Sequence, residues 1–197
     1  MRSVIEHIDK IVDSVEHLGV FISGGFDSTV LAALVFERSA GKHITLYTVP
    51  RYDDSAVHAH RVTQWLTRKY PLVKFTTVSV GNPDEHHSRQ VSSGIMESLN
   101  GSKATVLLGD TAVPVELQDS SAPVRVKSGG PRVVQPFFDL LKTDVITLAI
   151  EGDILDEVSE ISHTCTESKT LRCRECWQCR ERAWAFSKLG LVDRGTM

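Results

Sequence analysis

Residues 3–17 place Val4, Ile5, Ile8, Ile11, Val12 and Val15 at helical spacing, so one face of a helix there is apolar and must be buried. The pattern predicts that Gly19 ends this helix and that Val20-Phe21-Ile22 forms a short buried strand. Ser23-Gly24-Gly25 breaks the strand, and Ser28 to Ala40 reads as a helix closed by Gly41. His43 to Val49 is a second strand, stopped by Pro50. Ser55 to Tyr70 reads as a helix with Val57, Val62, Trp65 and Leu66 on its buried side. Lys74 to Val80 is β-branched and strand-like, Gly81-Asn82-Pro83 is a turn, and His86 to Leu99 is helical. Ala104 to Leu108 gives a fourth strand, closed by Gly109-Asp110. Residues 111–132 break the rhythm with Pro114, Pro123 and Ser128-Gly129-Gly130-Pro131, and read as a long functional or mobile loop with room for one strand. Val133 to Gln135 is a fifth strand, Lys142 to Glu151 a helix, and Glu181 to Leu189 a closing helix ended by Gly190.

Strands alternating with helices in this way predict an α/β fold, a doubly wound and mostly parallel five-stranded sheet covered on both faces. Ligands on such sheets bind at the carboxyl ends of the strands. The expected organisation is an α/β nucleotide-binding domain over residues 1–160 with a small C-terminal metal-binding module over 161–197 packed on it.

Composition narrows the classes. The chain has 197 residues, 41% hydrophobic, enough for one substantial core. No apolar run approaches the roughly 20 residues of a membrane helix. Arg2, Glu6, His7, Asp9 and Lys10 are unlike a secretory signal. A net charge of -3 provides no global positive field for nucleic acid. A soluble, cytoplasmic protein with small-molecule partners is the expectation, with neither membrane nor nucleic acid among them.

Chemistry concentrates at two places. In Ser23-Gly24-Gly25-Phe26-Asp27-Ser28-Thr29, paired glycines let the backbone turn tightly before a helix N-terminus, whose free amides favour an anion. Ser23, Ser28 and Thr29 add hydroxyls, and Asp27 can hold a magnesium ion or orient phosphates. Neither Gly-Lys-[Ser/Thr] nor Gly-x-Gly-x-x-Gly is present, which excludes the Walker A and dinucleotide loops. The plainer alternative is a βα turn in which Asp27 or Ser28 merely caps the helix.

The other place is Cys165-x7-Cys173-x2-Cys176-x2-Cys179, which holds every cysteine of the chain. Crowding them into one segment points to a metal clip in a reducing compartment, not to a disulfide framework. Four thiolates suit a closed, structural, tetrahedral zinc site. An iron–sulfur cluster is the rival, and a redox dithiol or free thiols the remaining alternative. Five basic side chains, Lys169, Arg172, Arg174, Arg180 and Arg182, stand against Glu167, Glu175 and Glu181, a net of +2. That charge matches the -2 of a zinc tetrathiolate, so these arginines are expected to screen the thiolates. The pairs His58-x-His60 and His86-His87 are expected to be solvated and receive no role.

The Ser-Gly-Gly-x-Asp-Ser string resembles the pyrophosphate loop of the PP-loop ATP pyrophosphatase superfamily. Together with the C-terminal cysteines it resembles the 7-cyano-7-deazaguanine synthase family. Arg182, Phe186, Gly190 and Asp193 match the segment after that family's cysteines, and Pro136 with Leu140-Leu141-Lys142 is similar to its Pro-Leu-x-x-Leu-x-Lys. The chain departs from the family where substrate should bind. Arg51-Tyr52-Asp53-Asp54 stands where the family has Tyr-Gly-Gln, the family's Pro-Gly-Arg-Asn is reduced here to Arg89-Gln90, and no Tyr-Pro-Asp lies between Gly109 and Pro131.

The resemblance implies an adenine nucleotide alpha hydrolase-like fold and an ATP-dependent, carbon–nitrogen bond-forming ligase of the queuosine pathway. Such an enzyme joins 7-carboxy-7-deazaguanine and ammonia through an activated carboxylate to give 7-cyano-7-deazaguanine. ATP and Mg2+ would lie on Ile22, Ser23, Gly24, Gly25, Phe26, Asp27, Ser28 and Thr29, with adenine near Thr48 and Val49. Asp27, Ser28 and Lys142 would be catalytic, and Zn2+ would sit on Cys165, Cys173, Cys176 and Cys179. Residues 111–132 would close over the site, and a homodimer is one oligomeric option. A tRNA thiolase, another amide-forming ligase, and a non-catalytic nucleotide-binding protein are the alternatives.

Overall fold

The computed structural model describes residues 2–82, 84–85, 87–127 and 130–195. Among these residues five strands form one sheet: β1 (Leu18–Phe21), β2 (His43–Thr48), β3 (Lys74–Ser79), β4 (Thr105–Leu107) and β5 (Val133–Val134). Their spatial order is β3-β2-β1-β4-β5, and every pairing is parallel. Leu18 lies level with Ile44 on one side and Thr105 on the other, so β1 is the central strand. The chain runs outward through β2 and β3, then returns to lay β4 on the opposite side of β1. That reversal opens a crevice at the carboxyl ends of β1 and β4.

Among the described residues, seven helices accompany the sheet: α1 (Arg2–Ser14), α2 (Phe26–Arg38), α3 (Ser55–Lys69), α4 (His87–Leu99), α5 (Lys142–Glu151), α6 (Leu155–Ile161) and α7 (Trp177–Lys188). Alternate strand residues face opposite sides. Leu18, Val20, Ile44 and Leu46 pack with α1, α2, α3, α5, α6 and α7 in the large core. Phe21, Tyr47, Val106 and Val133 form the smaller core, against which Ile95 and Leu99 of α4 pack. The sheet is doubly wound, though unevenly.

Several expectations shift. Gly19 does not end a helix; it is a β1 residue beneath the Tyr47 ring, where a Cβ would lie 2.6 Å from Tyr47 Cε2. On α3 the buried side is His58, Ala59, Val62, Trp65 and Leu66, while Val57 is exposed. Helix α6 has no counterpart in the sequence pattern, because its seven residues include Asp156, Glu157 and Glu160 and leave little apolar signal. Helix α7 starts at Trp177 instead of Glu181, which puts Cys179 in its first turn. Among the described residues of 111–132 there is no strand, only a 3-10 turn over Val115–Leu117. Pro83, His86, Ser128 and Gly129 lie outside the described residues.

Candidate nucleotide site and cysteine centre

The glycine loop leaves the carboxyl end of β1 and enters α2. Ile22 extends the ladder by donating its amide to the Tyr47 carbonyl at 2.8 Å. Gly24 has φ +77°, and a Cβ there would lie 2.3 Å from His58 Cβ, so both backbone geometry and space require glycine. Gly25 is the N-cap of α2, and no side chain caps the helix. The plainer reading of Asp27 or Ser28 as the cap is therefore excluded: both lie inside the first turn. Ser28 Oγ donates to the Gly25 carbonyl and lies 3.2 Å from Ser23 Oγ, while Thr29 Oγ1 donates to the Gly25 carbonyl at 2.7 Å. Gly109, after β4, makes the loop's close approach to the neighbouring strand feasible: a Cβ there would lie 2.9 Å from the Ser28 nitrogen.

A cavity of 260 Å3 opens in front of this loop. Ile22, Ser23, Gly25, Phe26, Asp27, Ser28, Val49 and Lys142 line it, together with Arg51, Asp53, His58, Asp110, Arg125, His163 and Glu181. Of the candidate nucleotide residues, Gly24, Thr29 and Thr48 lie off its wall. Thr29 is fully buried with its hydroxyl bonded to the loop, and Phe26 turns most of its ring into the core against Phe186.

Lys142 is the first residue of α5 and is buried, not exposed as its place at a helix start suggests. Its ammonium lies 2.6 Å from Asp27 Oδ2 and 3.1 Å from Glu181 Oε2. Burial works against the charge on Lys142, but the two carboxylates outweigh it and raise its pKa. Burial also pushes the Glu181 carboxyl up, only partly opposed by Lys142. Lys142 thus keeps its proton between two carboxylates, while desolvation dominates at Glu181. Asp27 Oδ1 and Glu181 Oε1 are buried and unpartnered. In the sequence Glu181 reads only as charge near the cysteines; its place in the cavity rests on Lys142, which no local pattern reveals.

The charged residues of the cavity wall are three cations (Arg51, Arg125, Lys142) and four carboxylates (Asp27, Asp53, Asp110, Glu181), a net of -1. Such a wall accepts a polyphosphate only with added positive charge. A divalent cation fits, since the orphaned Asp27 Oδ1 is a free carboxylate oxygen beside the loop amides.

His58, expected to be solvated, is buried and stacked on His163 with ring centroids 4.0 Å apart. Burial first, then the neighbouring His163 and Arg61, lower its pKa, so the ring is neutral. His163 donates its amide to the Gly24 carbonyl at 2.8 Å, which ties the C-terminal segment to the glycine loop. His60, by contrast, is exposed and bonds Gln64 on the next turn.

The four cysteine Sγ atoms all lie within 4.8 Å of one another. A tetrahedral ion with bonds of about 2.3 Å needs sulfurs about 3.8 Å apart, so the donor set fits one soft metal ion with little adjustment. The Ser168 and Cys173 amides point at Cys165 Sγ, and the Glu175 and Cys176 amides at Cys173 Sγ, at 3.2–3.4 Å. Arg174, with φ +65°, turns the chain to make this possible. Burial works against the Cys173 thiolate, but these amides prevail and bring its pKa to about 7. Burial pushes the Cys179 thiol up.

Three of the arginines have carboxylate partners, and Arg180 also acts on Cys176. Arg182 is fully buried and bonds Asp193, Ser162 and the Ser159 carbonyl; Arg172 also pairs with Asp193, and Arg180 pairs with Asp119 at 2.8 Å. These three tie the tail and the long loop to the cysteine segment and α7, a role that thiolate screening alone does not explain.

Residues 115–190 match the family model described as Queuosine biosynthesis protein QueC, and residues 4–79 match the one described as Asparagine synthase. Among curated proteins, the chain is 32% identical over 83 residues to a 7-cyano-7-deazaguanine synthase of Persephonella marina, covering 42% of this chain and 35% of that protein. It is 37% identical over 68 residues to one of Nostoc punctiforme, covering 34% and 29%. The matches thus span about a third of those relatives. Among solved structures, NMN synthetase from Francisella tularensis superposes with a TM-score of 0.51 at 13% identity, over 97% of this chain and 85% of that one. A glutamine-dependent NAD+ synthetase from Acinetobacter baumannii gives 0.53 at 17%, over 75% and 31%. At these identities the structures speak for the fold alone. Parts of the chain are thus similar to the Queuosine biosynthesis protein QueC and Asparagine synthase family models and to the 7-cyano-7-deazaguanine synthases, on a parallel sheet whose glycine loop follows the central strand.

Proposed function

We propose that this protein is an ATP-dependent ligase that converts 7-carboxy-7-deazaguanine and ammonia to 7-cyano-7-deazaguanine in the queuosine pathway. The observation that carries the reading is the uncapped first turn of α2, set at the carboxyl end of β1 and opening into a cavity with Asp27 and Lys142 on its wall. Similarity of residues 115–190 to the queuosine family model supports the choice of acceptor.

A carboxylate oxygen is a poor leaving group, and transfer of AMP makes it a good one. The substrate carboxylate would attack the α-phosphorus, and pyrophosphate would leave onto the amides of residues 25–28 and the Ser23 and Ser28 hydroxyls. Mg2+, held through Asp27, would supply charge that the net-negative wall lacks. Lys142 would keep Asp27 oriented and present its ammonium to the departing phosphates. Ammonia would then displace AMP to give the amide, and a second ATP, adenylating the amide oxygen with release of pyrophosphate, would let that oxygen leave with AMP as the nitrile forms. The segment from Thr111 to Arg132 would exclude water from the acyl adenylate.

Zinc on Cys165, Cys173, Cys176 and Cys179 would be structural, since four thiolates leave no open position. Among the described residues no helix is long and apolar enough to cross a membrane. A cytoplasmic setting agrees with that and with four free thiols. The division into residues 1–160 and 161–197 is proposed as a working one, the second part packed on the first through Ala185 and Phe186.

The test is incubation with ATP, Mg2+, ammonia and 7-carboxy-7-deazaguanine, followed by mass spectrometry. The nitrile with AMP and pyrophosphate is expected. Nucleotide turnover that leaves the deazaguanine acid untouched would replace the acceptor, and failure to bind ATP would remove the enzyme reading altogether.

A further inference from the structure

Of the three cations on the cavity wall, two have a carboxylate oxygen within 3.2 Å. Lys142 is held between Asp27 and Glu181, and Arg51 lies 3.2 Å from the buried Asp53. Arg125 differs. Its one hydrogen bond among the described residues is a long 3.5 Å contact to Asp110 Oδ1, and Asp110 also accepts from Gln135 at 2.9 Å. The Arg125 Nε is buried with no partner. Arg51 Nε is also buried without a partner, but Arg125 is the more weakly paired of the two, its carboxylate contact being longer and to a more exposed group, and it faces the cavity that also contains the phosphate-binding turn.

The group is also held in place. Its guanidinium lies over the Trp177 ring, 5.9 Å from the centroid. The segment leading to it is pinned to α7 at three points. Trp177 Nε1 donates to the Leu117 carbonyl at 3.2 Å, Arg180 binds Asp119 and Ser121, and Lys188 pairs with Glu116 at 3.3 Å. A stacked, tethered guanidinium gives up little freedom when it binds, and its planar fork matches the two oxygens of a carboxylate.

We propose that Arg125 is the specificity residue that receives the carboxylate of the acceptor acid and presents it to the nucleotide. The proposal rests on the ligase reading above. It makes the long segment a part of the substrate pocket, and it accounts for acid recognition without the family motifs that the chain lacks.

Calorimetry with three probes tests it: 7-carboxy-7-deazaguanine, 7-deazaguanine without the carboxylate, and a non-hydrolysable ATP analogue. Arg125→Gln should weaken binding of the acid by about 10–100-fold, the loss expected for a charge-assisted pair. It should leave 7-deazaguanine and the ATP analogue within about twofold of the wild type. Arg125→Lys, which keeps the charge and loses the fork, should fall between. In turnover the KM for the acid should rise with the KM for ATP unchanged. Equal weakening of the acid and 7-deazaguanine would make Arg125 a structural residue, and selective weakening of the ATP analogue would make it a phosphate ligand; either overturns the proposal. Undiminished binding of the acid by the variant overturns it while sparing the ligase reading. A wild-type protein that binds ATP but not the acid defeats that reading and this proposal with it.

Discussion

Replacing Lys142 with Met isolates the energetics of the buried triad. Methionine keeps much of the lysine's length and removes its charge, so Asp27 and Glu181 lose the cation they share at 2.6 and 3.1 Å. Glu181 is only 1% exposed and cannot turn to water. Removing one partner of a buried ion pair typically costs about 3–5 kcal/mol, because the remaining charge is left uncompensated. For a chain of this size that is a fall in Tm of roughly 6–20 °C. Asp27→Asn should behave differently. It leaves Lys142 opposite Glu181 as a balanced pair, relieves the excess negative charge, and should cost about 1 kcal/mol or less. It should nevertheless abolish turnover if Asp27 holds the metal–nucleotide complex. A third variant, Lys142→Met with Glu181→Gln, should recover about 1–3 kcal/mol of the single loss, since neighbours in one network are not additive. Thermal and urea unfolding of the three proteins measure all of this. If Lys142→Met melts within about 2 °C of the wild type, the triad is not the buried ionic network described above.

The remaining expectations are simpler to state. Cys176→Ser should lose bound metal by elemental analysis and lower thermal stability, because Cys176 belongs to both Cys-x-x-Cys steps and is the N-cap of α7; a variant with full metal content would remove Cys176 from the ligand set. Gly24→Ala forces alanine to φ +77° and places its Cβ 2.5 Å from the His58 carbonyl carbon, so a loss of about 2–4 kcal/mol should appear in urea unfolding. Burial and the Glu37 and Glu157 charges push the Tyr70 pKa from 10 to about 12. A raised folded-state value stabilises below the unfolded one and is lost as pH rises, so the wild type should lose about 1–2 kcal/mol between pH 9 and 11.5 relative to Tyr70→Phe. Equal losses in the two proteins would sink that assignment.

The sheet and its ligand end are legible in the sequence because they depend on local signals. Short apolar runs closed by Ser23-Gly24-Gly25, Pro50, Gly81 and Gly109 mark four strands, and the same punctuation marks the loops at their carboxyl ends. What escapes depends on contacts between distant segments. His58 reads as one of a polar His-x-His pair until His163 is found stacked on it. Glu181 and Arg182 read as charge around a metal, yet each is buried by a partner in another element: Lys142 at the start of α5 and Asp193 in the tail. Gly19 reads as a helix stop because its reason for being glycine, the Tyr47 ring, lies on the adjacent strand.

Helix α7 gathers most of these contacts, and its periodicity explains both its function in the fold and why hydrophobic spacing misplaces its start. Trp177 and Glu181, one turn apart, face the long loop and Lys142. Arg182 and Phe186, again one turn apart, face Asp193 and Phe26. Cys176 and Cys179 occupy the cap and first turn toward the other two sulfurs, and Arg180 reaches Asp119 and Ser121. Because buried residues lie on several sides, no single apolar stripe forms, and hydrophobic spacing cannot detect the helix before Glu181. The same arrangement means that whatever fixes Cys176 and Cys179 also fixes the origin of the helix that orients Lys142 through Glu181 and Arg125 through Trp177. A metal held by the four cysteines would therefore be mechanically linked to the cavity, and its removal should disturb the carboxyl end of the sheet although no cysteine except Cys165 lines the cavity.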